Sequence, residues 1–568
     1  MRKHRRPLLV LTAAASALAL VVTGCASERE DGAADERNES EPFIFAGAGD
    51  ARSLDPILAS DGETFRVARQ AFETLLDHEP GGTEIGPGLA HDWDQNDDGT
   101  EWTFHLEEDV TFHDGEEFNA DAVCANFDRW YNFEGIFQSQ AVSYYWTTLF
   151  GGFADNDEDM DLPDPNFAGC TTDDEHTVTI EVEEFSPDYP GAFSMIALGM
   201  MSPAAIEEME DAEIEGDPDD PTYPDYSQEA GTVAGTGPYE FAEWDHDARE
   251  IEMQRFDDYW DDENAAQIQT AIFQTIEDEN ARMQALQSGD IHGYDLVAPA
   301  DVDNLQDEGY EVPTRDVFNV LYLAYVQDDA DFEEREEAAE ALSDPDVRQA
   351  LAHAVDRQDI VDSLLPEGGE VATQFMPDTL DGWSDDVETY EHDPELAEEL
   401  LADAGYEDLT LDFCYPTEVT RPYMPAPQDI FEVISHDLEE VGIEVEPDSL
   451  EWTEYIPHTE AGGCSLYLLG WTGDFNEAYN FLGTWFADYR PAWGQDSDEI
   501  FDALDAAADE PEIEERSVLY EEANEAIMAE LPGLPISSSP PSIAFASDID
   551  PPTVSPLTQE DFAETSFQ

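Results

Sequence analysis

Two residues about fifty positions apart carry the most specific chemistry in this sequence: Arg421, in Arg-Pro-Tyr-Met-Pro (421–425), and Asp474, closing Gly-Trp-Thr-Gly-Asp (470–474). Each follows an apolar run that reads as a strand, so both side chains belong at strand ends. With 138 Asp and Glu against 20 Lys and Arg, acids occur in every segment, whereas an arginine is scarce and placed. A guanidinium and a carboxylate on neighbouring strand ends can hold the two charged ends of a short zwitterion, such as a small peptide. Such a site binds its ligand and needs no nucleophile or base.

The remaining patterns give no catalytic constellation. There is no His-Glu-x-x-His, no Gly-x-Ser-x-Gly and no phosphate-cradling glycine loop. Residues 94–99 copy the start of an EF-hand loop, but the twelfth position is His105 instead of Glu, and strand-like alternation follows; the segment reads as a hairpin turn. His105 and His113, on one expected hairpin over 101–118, read as ordinary histidines and not as metal ligands. Carboxylate pairs are uninformative among 138 acids. No metal, cofactor or enzymatic activity is expected, and an exported hydrolase is the weak rival reading.

The formal charge of −118 sets the surroundings. Acids spread through every segment repel one another in dilute buffer, whereas molar salt cuts the screening length to about 3 Å. The composition therefore reads as adaptation to high salt. Phosphate-neutralising clusters of Lys and Arg are missing beyond the first residues, which excludes nucleic acid and anionic lipid as partners. Arg2, Lys3, Arg5 and Arg6 precede an apolar run over 8–22 that is too short for a comfortable membrane span and has the form of a signal peptide. It ends in Val-Val-Thr-Gly-Cys (21–25), similar to the lipobox of bacterial lipoproteins, in which the leader is cut before the cysteine and the thiol is acylated. Residues 1–24 are then the leader, Cys25 the lipidated residue and 25–41 a disordered tether. The chain is expected outside the cytoplasmic membrane, anchored only by lipid.

Cys124, Cys170, Cys414 and Cys464 remain, an even count in an oxidising compartment, with three possible connectivities. Neighbours in sequence share an expected domain, which favours Cys124 with Cys170 and Cys414 with Cys464. The 568 residues require at least two domains. Strands are expected over 41–46, 319–326, 409–415, 443–446 and 464–469, hairpins over 101–118 and 239–256, and helices over 63–76, 120–130, 278–289, 344–355, 394–404, 427–441 and 479–486. Strands alternating with helices of this length predict an α/β protein with parallel sheet. Acidic stretches near 155–164 and 211–226 read as surface loops.

Several segments occur in a telling order: Leu54-Asp-Pro56; Gly88-Leu-Ala90 with Trp93; Asp98-Gly99 and Trp102-Thr-Phe-His-Leu106; Phe112-His-Asp-Gly115 and Phe118-Asn-Ala-Asp-Ala-Val123; Gly235-Thr-Gly-Pro-Tyr239; and the stretches 281–289 and 346–357. Together they resemble the peptide and nickel family of ABC-importer substrate-binding proteins (family 5), most closely its dipeptide and oligopeptide branch. The resemblance implies a two-lobe α/β fold of the periplasmic-binding-protein kind (type II, cluster C), with two hinge crossings and the ligand enclosed between lobes. Lobe I would take 42–297 plus 540–568, and lobe II 298–539. By the same resemblance Asp474 meets the ligand's amino terminus and Arg421 its carboxylate. Trp471, Tyr423 and Phe475 are candidate cleft walls, and Gly235 and Gly237 candidate points of backbone approach. The implied role is capture of a short peptide by a monomeric receptor and its delivery to an ABC permease; an opine, oligosaccharide or metal chelate is the alternative solute. Where the family commonly has a Gly-Asp-Pro-Asp-like loop, this chain has Phe475-Asn-Glu-Ala-Tyr479 before Asn480-Phe481, and the pocket for ligand side chains is expected to differ there.

Overall fold

The computed structural model describes residue 34 and residues 37–568, apart from 161, 210, 211, 219, 329–334, 407, 408 and 418. The leader, Cys25 and most of the expected tether lie outside the described residues. Residues 37–41, expected to be part of the tether, belong to the folded body. Arg37 pairs with Asp548 at 2.8 Å, and the buried Asn38 accepts a hydrogen bond from the amide of Phe567 at 2.9 Å, which ties this stretch to the folded body.

Two six-stranded sheets organise the chain. In the first, the order is Tyr239–Asp245, Glu250–Arg255, Thr270–Thr275, Phe43–Gly47, Gly293–Asp295 and Ile543–Phe545. In the second, it is Glu370–Val371, Gly533–Ser538, Asn319–Tyr325, Leu466–Thr472, Thr410–Thr417 and Glu444–Glu451. Each sheet carries its own large apolar core. A smaller four-stranded sheet belongs to the first core and contains Ala90–Gln95, Glu101–Leu106, Thr177–Val182 and Phe167–Asp174.

The sheets are mixed and not parallel throughout. Phe43–Gly47 runs parallel to both its neighbours, and Thr410–Thr417 to both of its own. Asn319–Tyr325 is antiparallel on both sides, to Leu466–Thr472 and to Gly533–Ser538, on which the chain leaves the second lobe beside the strand that enters it. Helix-crossover alternation fixes local direction only, and the returning strand reverses it.

The two crossings lie side by side. Asn319 donates to the carbonyl of Ser539 at 2.7 Å and accepts from its amide at 3.0 Å, while the amide of Arg315 donates to the carbonyl of Pro541 at 3.0 Å. The first lobe boundary consequently moves from 297/298 to about residue 315. Leu305 and Val312 pack with Ala46, Tyr294 and Ala544, and Glu311 bridges Phe545, so the helix Pro299–Glu308 belongs to the first lobe. Beneath the crossings, Arg315 forks between two buried acids: its guanidinium donates to Asp295 at 2.7 and 3.0 Å and to Glu560 at 2.6 and 2.9 Å. Arg66 contacts the same two carboxylates from the helix Gly62–Ala68, with Glu63 at the rim 3.4 Å from it.

Local chemistry explains most elements. Asn119 caps the helix Ala120–Tyr131, accepting from the amide of Ala122, and Asp278 caps Glu279–Ser288, which ends at Gly289 in the left-handed region. Pro394–Ala404 likewise stops at left-handed Gly405. The turn at 94–99 joins two antiparallel strands through Asn96, whose carboxamide accepts from the amide of Thr100 at 2.8 Å. Two expectations fail. Glu101–Leu106 pairs with Ala90–Gln95 and Thr177–Val182 instead of folding onto 111–118. The helix expected to reach residue 76 stops at Ala68, where Gln70 and Ala71 give their carbonyls to Tyr239 and Gly237. Within the acidic stretch 211–226, Glu215–Asp217 pairs with Asp220–Thr222. Both cysteine pairs are bridged as expected, with Cα atoms 5.4 Å apart for Cys124–Cys170 and 6.0 Å for Cys414–Cys464.

Candidate functional site

The strand Leu466–Thr472 delivers Asp474 to the space between the lobes. Asn480, in the first turn of the helix Tyr479–Phe486, then fixes it. The Asn480 carbonyl oxygen accepts from the amide of Asp474 at 2.9 Å and from the indole of Trp471 at 3.0 Å, and its amide group donates to the Asp474 carboxylate at 3.3 Å. From the other lobe, the hydroxyl of Tyr145 donates to Asp474 at 2.9 Å. Burial pushes the Asp474 carboxyl up to about 6, and these side-chain hydrogen bonds oppose that rise.

Asp474 opens on a cavity of about 210 Å³ lined, among others, by Tyr144, Tyr145 and Asp188 of the first lobe and by Trp471, Asp474 and Arg490 of the second. Trp471 is a wall braced edge-on by Trp485, with ring centroids 5.6 Å apart. Phe475 also lines the cavity and buries its ring in the first lobe's core, against Gly191; a Cβ at that glycine would fall 2.5 Å from the ring. The lobes are thus in contact, and the cavity is what the contact leaves open.

Arg421 and Tyr423 sit apart from this cavity lining. The Arg421 guanidinium lies 4.2 Å over the ring of Trp452, and its main chain pairs with Met424 in a tight turn. Tyr423 is buried on the strand Leu466–Thr472, where Gly470 makes room for it; a Cβ there would come within 2.4 Å of the ring. Gly235 and Gly237 face the backbone of Ala71 inside the first lobe, and their carbonyls accept from the amide and ring of His113. They are packing positions in this structure. His105 lies on the strand Glu101–Leu106, 3.8 Å from Asp94. Among the described residues Cys414, His458 and Cys464 lie within metal-ligand reach of one another, but the disulfide takes both sulfurs.

Sequence reasoning missed Tyr145, Asp188 and Arg490 and gave Asn480 no role. The one available signal was Asn480-Phe481 following the aspartate motif; a tyrosine pair at 144–145 and one acid among 138 carry none.

Two sheets, two adjacent crossings and a cavity between the bodies define a two-lobed solute receptor. Residues 84–493 match the family model for bacterial extracellular solute-binding proteins, family 5 Middle. The chain is 28% identical over 552 residues to the dipeptide-binding protein of Escherichia coli, covering 93% of this chain and 95% of that one. It is 30% identical over 539 residues to the dipeptide-binding protein of Pseudomonas aeruginosa, covering 92% and 94%. The fold is that of the dipeptide-binding protein from Pseudoalteromonas in complex with Met-Leu, with a TM-score of 0.74 at 22% identity over 93% of this chain and all of that one. The chain therefore belongs to family 5 of the bacterial extracellular solute-binding proteins, whose members bind solutes and are not enzymes. No helix among the described residues is long and apolar enough to cross a membrane.

Proposed function

We propose that this protein captures short peptides, dipeptides foremost, between its lobes and hands them to an ABC permease from a lipid anchor at Cys25. The observation that carries the reading is Asp474: a carboxylate oriented by Asn480, reached across the cleft by Tyr145 and opening on a small cavity. It offers a partner for a peptide's amino terminus. A volume near 210 Å³ falls below the range of about 300–1,000 Å³ usual for sites of drug-sized ligands, which favours a short ligand. The names of the Escherichia coli and Pseudomonas aeruginosa relatives point the same way. Arg421 takes the ligand's carboxylate, leaving Trp452 as the lobes adjust around it, and the acidic composition serves function in high salt. The receptor works as a monomer outside the cytoplasmic membrane.

The test is mass spectrometry of small molecules released from the denatured protein, followed by calorimetric titration with di- and tripeptides in about molar salt. Saturable binding abolished by blocking either peptide terminus is the expected result. Recovery of a sugar, opine or chelate with no peptide binding overturns the peptide and leaves the family role standing.

A further inference from the structure

Asp188 shares the contact between the lobes with Asp474, Glu477 and Arg516, and Arg490 lines the same cavity. Asp474, Glu477 and Arg516 come from the second lobe and Asp188 from the first. Arg516 is already committed: it pairs with Glu477 at 3.0 Å, donates to the carbonyl of Glu510 at 2.8 Å, and lies over the ring of Phe185. Asp474 is held by the neutral donors Tyr145 and Asn480. Asp188 is left over. Its Oδ1 is sealed from solvent and has no hydrogen-bond partner, although the residue lines the same cavity as Asp474. Around it lie the phenols of Tyr189, Tyr479 and Tyr520, and Arg490 lines the same cavity, but none of them donates a hydrogen bond to this oxygen. A carboxylate oxygen sealed from water without a donor is costly unless something absent from the bare chain supplies one.

We propose that Asp188 is a second carboxylate for the ligand's cationic end, so that a primary ammonium bridges Asp188 of one lobe and Asp474 of the other and draws the lobes together. This deepens the peptide reading and rests on it. A peptide's amino terminus carries three N–H donors, enough to serve both carboxylates at once, whereas an acylated or neutral end leaves two half-buried carboxylates of one cavity without a cation between them. The pair thereby selects against N-blocked peptides and against anionic solutes, independently of what holds the ligand's other end.

The experiment titrates Met-Leu, Ala-Ala and N-acetyl-Met-Leu into the wild type, Asp188→Asn and Asp474→Asn in about molar salt, with a melting curve for each unliganded protein. Expected are binding of both free dipeptides by the wild type, loss of at least about tenfold in affinity for Asp188→Asn, no binding of the acetylated probe, and an unliganded melting temperature for Asp188→Asn at or above that of the wild type. Wild-type binding with unchanged affinity in Asp188→Asn overturns the assignment and leaves the peptide reading intact. A lowered melting temperature accompanying lost affinity also overturns it, in favour of a structural role. A wild type that takes neither free dipeptide defeats the peptide reading and this assignment together.

Discussion

Two charge clusters of this molecule, one under the crossings and one between the lobes, are built in opposite ways. Under the crossings, Arg66 and Arg315 each contact both Asp295 and Glu560, and the carboxyls of both acids are held below their ordinary range by these neighbouring guanidinium groups against the opposing effect of burial. Between the lobes Arg516 is taken by Glu477, and burial raises Asp188 to about 7 and Asp474 to about 6. The two arginines at the hinge engage both of its acids, whereas in the cleft Arg516 is committed to Glu477 and Asp188 keeps an oxygen with no donor. Satisfied charges hold a fixed joint, whereas unsatisfied ones await a ligand.

The largest expected effect comes from breaking the satisfied cluster. Arg315→Ala leaves two buried carboxylates to share the one guanidinium of Arg66 and is expected to cost about 3–5 kcal/mol of stability, read from urea unfolding in molar salt. The same loss of one charge in the cleft should act on binding instead of folding. Asp474→Ala is expected to weaken peptide affinity by more than about tenfold, with little loss of melting temperature, and Arg421→Ala to weaken it comparably. If Asp474→Ala were as destabilising as Arg315→Ala with ligand affinity retained, the contrast between the clusters would collapse.

A smaller effect is expected of Asn480→Ala, which leaves the carboxylate in place and removes the group that orients it. Losing hydrogen bonds of about 0.5–1.5 kcal/mol each predicts affinity lower by roughly 3–10-fold in calorimetric titration. Acidity should separate the clusters most finely. Asp188 and Asp474 have carboxyls raised above the ordinary value of 3.8, so their contribution to the closed, unliganded form is full below that value and is lost as pH rises through about 6 to 7. Asp295 and Glu560 are shifted the other way, so their contribution is present above their ordinary values of 3.8 and 4.5 and is lost as pH falls. Melting temperature in molar salt should therefore drop on both sides of a maximum in mildly acidic buffer, and Asp188→Asn should flatten the alkaline side alone. An ammonium ligand favours the ionised carboxylates, so its affinity should rise from pH 5 to 7.5.

The legible parts of this fold are those governed by a few consecutive residues. Asn119, Asp278, Gly289 and Gly405 mark helix ends because a cap needs only a side-chain acceptor or a residue tolerant of left-handed backbone. The helix over 63–76 was overestimated because its end is set by hydrogen bonds to Gly237 and Tyr239, far along the chain. The hairpin over 101–118 was misread for a similar reason: alternation shows that Glu101–Leu106 is a strand but not which strands flank it.

The site divides along the same line. Asp474 and Trp471 could be singled out because their motif is distinctive and sits at a strand end, and the cysteine pairing followed from proximity along the chain. Tyr145 and Asp188 carry no local mark, and they reach the cavity only because two lobes close on each other, joining residues up to 329 positions apart. By itself the sequence determined the charge, the cap positions, the family and two residues that line the cavity, Trp471 and Asp474, all properties of residue type and near neighbours. Only the tertiary structure decided which of 138 acids are left without a partner, because that depends on what each carboxylate meets once water has been removed from around it.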